Sequence, residues 1–148
     1  CFPHGGAGMK EIRAGHRLAE SPVHLGLGAR AVAEPAFTGM EWYAGYVARH
    51  ADDGKEGRLV SLFRFAESWD SWEMHPAGDE VVLCLSGEIV LHQEFPDGRL
   101  EQVRLAPGDY AINPPGVWHT ADIVATDAAG EASALFITAG VGTEHRAR

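Results

Sequence analysis

The chain has 148 residues, 45% apolar and 22% charged, and a formal net charge of −9. That length suits one domain with a hydrophobic core of its own, and the composition excludes wholesale disorder and a coiled coil. The negative charge excludes phosphate-backbone binding, which draws on clustered Lys and Arg. No apolar run nears the roughly 20 residues that span a bilayer, so the expected protein is soluble and cytoplasmic, with neither nucleic acid nor membrane as partner.

Residues 1–30 are rich in Gly and polar side chains and hold neither a helical nor a strand period. They are expected to form an N-terminal arm reaching across a homodimer, ahead of a single domain over residues 31–148. Cys1 and Cys84 make no disulfide framework, and Cys84, inside the apolar run 81–85, reads as a small buried residue. From Trp42 onward, short runs rich in Val, Leu, Phe, Tyr and Trp alternate with Gly, Pro and Asp, the texture of an all-β domain. Strands are expected over 41–50, 58–65, 71–75, 80–85, 88–94, 99–105, 110–113, 118–123 and 132–139. The breaks have turn chemistry: Phe95-Pro96-Asp97-Gly98, Ala106-Pro107-Gly108-Asp109 and Asn113-Pro114-Pro115-Gly116 supply Pro to pre-set φ or Gly to take it positive, and Asp127-Ala128-Ala129-Gly130 does the same with Gly alone. Short strands in this number predict a sandwich or barrel.

The chemistry-bearing residues fall in 72–87, WEMHPAGDEVVLCLSG, and 108–123, GDYAINPPGVWHTADI. Glu73 and His75 are two apart, so on a strand both point to one face. A turn at 76–79 then lets Glu80 re-enter the same space, and His119 arrives from a distant strand. Two adjacent ligands closed by others from separate strands is an arrangement that a metal site needs. The competing reading is a histidine hydrogen-bonded to a neighbouring Glu for structural reasons alone.

These two segments resemble the paired motifs of the cupin superfamily. His75, four residues, Glu80, six residues and Gly87 match the first motif, with Glu73 standing where a first His is expected and Glu67 where a leading Gly is expected. Gly108, Pro114, Gly116 and His119 match the second, with Ile123 in place of its final Asn. The resemblance covers roughly 42–139 and implies an all-β cupin fold, a jelly-roll β-barrel or double-stranded β-helix. It also implies His75, Glu80 and His119 as metal ligands, with Glu73 as a fourth, anionic one. An extra carboxylate favours Fe(II) or Mn(II), with Zn or Ni as alternatives. If Glu73 is not a ligand, it becomes the candidate acid–base group.

The implied function is a metal-dependent enzyme of oxygenase or isomerase type acting on a small molecule. The alternative is a non-catalytic module that binds or senses a sugar or small acid. A metal-free sugar-nucleotide epimerase, pairing His75 with Tyr110 or Tyr46, is a weaker match. Trp72 and Trp118 are expected to face away from the ligands. Trp42, Tyr43, Tyr46, Phe63 and Phe65 read as core, His92 and His145 as isolated surface residues, and Asp79 as a turn residue.

Overall fold

The computed structural model describes residues 10–148, so Cys1 and its pairing lie outside the described residues. Period-two alternation builds most of the elements: in Glu88–Glu94 the side chains of Ile89, Leu91 and Gln93 are buried while their neighbours are partly exposed. The strands are β1 (Val23–Gly26), β2 (Arg30–Ala33), β3 (Arg58–Phe65), β4 (Ser71–Met74), β5 (Glu80–Ser86) and β6 (Glu88–Glu94). They continue with β7 (Leu100–Leu105), β8 (Tyr110–Asn113), β9 (Trp118–Ala125), β10 (Ala132–Thr138) and β11 (Glu144–Ala147). They form two antiparallel sheets, one ordered β2-β1-β3-β10-β5-β8 and the other β11-β4-β9-β6-β7. The expected all-β barrel is what the chain adopts. Ile89, Leu91 and Ala121 from one sheet meet Val82, Cys84, Ala134 and Phe136 from the other in a shared core.

The glycine that closes the first motif has a physical role at the β5–β6 turn. Gly87 has φ +69°, and a Cβ there would lie 2.7 Å from the Ala125 carbonyl oxygen. Any other residue would force the two sheets apart at that corner.

Two elements differ from expectation. The stretch 41–50 was expected as a strand and is instead an α-helix, α1 (Trp42–Arg49). Its aromatic content suits a strand, but the spacing of Trp42, Tyr46 and His50 at i, i+4, i+8 puts one above another on a helix face, and Trp42 stacks on Tyr46 with ring centroids 5.4 Å apart. Within the segment expected as an arm, residues 23–26 form β1, which pairs with both β2 and β3. Residues 10–17 have no regular structure and leave Ile12 fully exposed.

The register of the six-stranded sheet lines up its outward side chains. One row runs Val23, Val60, Ile137, Val81, Ile112 and a second runs Leu62, Leu135, Leu83, Tyr110. All are at least partly exposed, Tyr110 by 64% and Ile112 by 49%. Among the described residues no helix is long and apolar enough to cross a membrane.

Candidate metal centre

The same registers that build the core set two polar rows face to face. Across the five-stranded sheet, His145, Glu73, His119 and Gln93 are consecutive partners on β11, β4, β9 and β6. Across the other sheet, Thr138, Glu80 and Asn113 are consecutive partners on β10, β5 and β8. His75, two residues beyond Glu73, keeps the inward face just past the end of β4.

All four residues singled out from the sequence converge between these rows. His75 Nε2 lies 3.0 Å from Glu80 Oε2 and His119 Nε2 lies 3.1 Å from Glu80 Oε1, while both nitrogens are 3.8 Å from Glu73 Oε2. His75, Glu80 and His119 are buried; the Glu73 side chain is 32% exposed and faces the opening. Despite the short distances, neither contact to Glu80 has hydrogen-bond geometry, and His75 Nε2 and both nitrogens of His119 have no hydrogen-bond partner among the described residues.

Surrounding groups fix these side chains. Thr143 donates its hydroxyl proton to the Gly140 carbonyl at 2.8 Å, so it accepts from His75 Nδ1–H, also at 2.8 Å. That assignment leaves the lone pair of a neutral His75 on Nε2, pointing at the cluster. Glu80 accepts from the Thr138 hydroxyl at 2.6 Å and from Asn113 Nδ2 at 3.1 Å. Gln93 in turn donates to Asn113 Oδ1 at 2.8 Å and to the Ile112 carbonyl at 2.9 Å.

A cavity of about 1050 Å³ opens from this cluster. Glu73, His75 and Glu80 line one part of it, Tyr43, Phe63, Trp69 and Phe136 give it aromatic walls, and His24, Tyr46 and His50 line another part.

The family model for the cupin domain matches residues 62–146, the span that carries all of these groups from Glu73 to His145. The chain belongs to the cupin domain family. No curated protein matches the sequence. Among solved structures, this cupin is similar to oxalate oxidase in complex with glycolate, at 19% identity over 66% of this chain and 50% of that one, with a TM-score of 0.53. That likeness is one of fold. A cupin superfamily protein from Desulfitobacterium hafniense is 31% identical over 55% of this chain and 65% of that one, with a TM-score of 0.41. Peruvianin-I, a cysteine peptidase from Thevetia peruviana latex, is 28% identical over 60% and 52%, with a TM-score of 0.44. This cupin spans about half the length of the first solved structures it matches.

Electrostatics couple the buried groups of this cupin. Burial pushes the Glu80 carboxyl up, but the imidazoles of His119 and His75 pressed against it outweigh that and hold it well below the usual carboxylate range. Burial pulls His75 down, and the adjoining carboxylates, Glu80 before Glu73, raise it above its ordinary value. Burial raises the Tyr43 phenol, and the charges of Glu73 and Glu80 raise it further.

Several residues at the site were not singled out as part of it. His145, read as an isolated surface residue, places Nε2 3.3 Å from Glu73 Oε1 because β11 pairs with β4. Tyr43 and Tyr46, read as core, line the cavity instead, since the helix that carries them stands over its side. Asn113 was read as the last residue of a strand and the first of a turn. Its one signal was its position at the end of a short alternating strand, where it shares the inward face with Ala111. Trp72 and Trp118 do face away: the Arg146 guanidinium lies over both rings, at 5.1 and 4.6 Å, and so anchors β11. Asp79 is exposed in its turn.

Proposed function

We propose that this cupin is a metal-dependent enzyme acting on a small oxygen-bearing organic molecule, with Glu73, His75, Glu80 and His119 holding a divalent cation. The observation that carries this is the pair of buried imidazoles whose Nε2 atoms face one carboxylate without hydrogen-bonding it or any other described residue. Leaving buried polar atoms unpaired costs about 1–3 kcal/mol each, so a fold that does so at two Nε2 atoms facing one carboxylate fits a ligand that those two nitrogens would bind. The donor set fits too: two neutral imidazoles and two carboxylates suit Fe(II) or Mn(II), with Zn(II) and Ni(II) as alternatives. A cation held there would polarise a substrate oxygen.

The chain's own groups prepare the site. Thr143 keeps the His75 lone pair inward, while Thr138 and Asn113 fix both Glu80 oxygens. The partly exposed Glu73 is the ligand on the substrate side, where His145 can share its charge. The aromatic walls favour a substrate with an apolar body behind its oxygen-bearing end and exclude water from it.

Mass spectrometry of the metal content of untagged protein, wild type beside Glu80→Gln and His119→Ala, tests this. Near-stoichiometric iron or manganese that disappears in both variants is the expected result. Metal-free wild type whose melting temperature is unmoved by added ions would overturn it in favour of a binding module.

The apolar rows on the outer face of the six-stranded sheet support a homodimer formed by that face. Light scattering should report a dimer for wild type and a monomer for Ile112→Glu; a monomeric wild type would end the idea.

A further inference from the structure

The four residues of the metal centre leave unused a second polar group on the wall of the same cavity. Tyr46 Oη lies 2.6 Å from His24 Nδ1, and His24 Nε2 lies 2.6 Å from Asp53 Oδ2. The three come from separate elements: α1, β1 and the 3-10 turn Ala51–Asp53. His24 is 1% exposed and Asp53 6%, whereas Tyr46 is half-buried and lines the cavity. The order hydroxyl, imidazole, carboxylate is that of a reacting group, its base and the group that orients the base.

The surroundings lock this order. Arg30 donates to Asp53 Oδ2 at 2.8 Å and the Leu27 backbone N–H to Oδ1 at 3.3 Å. An ionised Asp53 keeps a proton on His24 Nε2, so the neutral ring has a bare Nδ1 that accepts from the Tyr46 hydroxyl. The His50 ring stacks on His24 with centroids 3.6 Å apart, and is held by Glu34, which also takes Arg49. A Cβ at Gly26 would sit 2.6 Å from Asp53 Oδ2 and one at Gly57 2.8 Å from His24 Cε1. Two glycines thus let the backbone close around the imidazole–carboxylate pair.

We propose that Tyr46, His24 and Asp53 form a proton relay serving a substrate in the cavity. Tyr46 Oη takes a proton from an O–H or acidic C–H of the substrate while its own proton passes to His24 Nδ1; the substrate is left as its anion and His24 as an imidazolium between Tyr46 and Asp53. Reversal returns the proton to the product. Tyr46 is the catalytic residue, and His24 and Asp53 act through it. No free tyrosinate forms, which matters because burial, then the charges of Glu34 and Asp53, push the Tyr46 phenol far above its ordinary value. All three residues lie outside the span 62–146 matched by the family model, and the relay does not depend on a cation at Glu80.

The ligand atoms of His24, His50 and Asp53 lie within 4.8 Å of one another, so a cation is the rival occupant. Both nitrogens of His24 are already engaged, and the positive Arg30 guanidinium sits against Asp53 where a cation would have to be. The relay is therefore the better account.

Phenylmethanesulfonyl fluoride tests it without a known substrate. Attack of Tyr46 Oη on sulfur forms an S–O bond and expels fluoride as the phenol proton moves to His24. Peptide mass spectrometry on wild-type protein should show Tyr46 labelled at least about tenfold faster than Tyr110, which is far more exposed. In a folded His24→Ala variant, added imidazole should restore labelling at Tyr46 and leave that at Tyr110 unchanged, a rescue that a structural hydrogen bond would not give. Asp53→Asn should cut the Tyr46 rate about tenfold while Tyr43 and Tyr110 keep theirs. Equal wild-type rates at Tyr46 and Tyr110 would overturn the relay whether or not the variant folds. So would a second bound equivalent of Zn(II) that blocks labelling at Tyr46.

Discussion

At the candidate metal centre the buried nitrogens that face Glu80 have no hydrogen bonds among the described residues, whereas at the His24 cluster each imidazole is engaged: His24 by Tyr46 and Asp53, His50 by Glu34. Both clusters combine histidines with carboxylates, and both bring ligand atoms within 4.8 Å of one another. The difference lies in what builds them. The first is held by registers in two facing sheets, which fix side chains where they cannot turn to find partners. The second is assembled from a helix, a turn and the β1–β2 hairpin, whose side chains close on one another. Proximity alone therefore does not distinguish the two clusters; an unmet hydrogen-bonding demand does.

The sharpest way to break this comparison is to delete one histidine from each cluster. His24→Ala takes a hydrogen bond from the half-buried Tyr46 phenol and from the buried Asp53 carboxylate, which keeps Arg30 and the Leu27 N–H, and should cost about 2–3 kcal/mol in urea unfolding. His119→Ala takes one imidazole from Glu80, which keeps His75, Thr138 and Asn113, and should cost less in metal-free protein; the reverse ranking would refute the contrast. In the presence of metal the effects exchange: His119→Ala should lose at least about 100-fold in ion affinity by competition with a chelator, and a folded His24 variant should lose none. Asn113→Ala frees one oxygen of Glu80 and should weaken ion binding by about 10- to 100-fold in the same assay.

The smallest effect concerns the outer face of the five-stranded sheet. Arg148, then His92, hold the Asp122 carboxyl at about 2. A depressed carboxylate stabilises the fold above its ordinary value near 3.8 and loses that contribution as pH falls toward 2. Asp122 is 37% exposed, so screening keeps the effect to about 1 kcal/mol. Urea midpoints measured down through this range should fall more for wild type than for Asp122→Asn.

Much of the barrel was legible because its strands alternate. The expected bounds 58–65, 88–94 and 110–113 match β3, β6 and β8, and the spacing of Glu73, His75, Glu80 and His119 brought those four side chains into one place. What escaped was set by partners far along the chain. Thr138 meets Glu80 across 58 residues and His145 meets Glu73 across 72, so no local pattern announces either. The helix over Trp42–Arg49 was hidden by aromatic residues that favour strands until their i, i+4 stacking is seen. The pairing of His24 with Asp53 depends on β1, four residues too short to show a period.

The hydrogen bonds from Gln93 to Asn113 and on to Glu80 begin in one sheet and end in the other. A shift of one layer against its neighbour would therefore pull on the Glu80 carboxylate through rigid amide groups before it disturbed the looser apolar contacts around them. The chain of amides works as a gauge of the gap between layers, and a substitution far out on either sheet that changes that gap by a fraction of an ångström should be read out at Glu80.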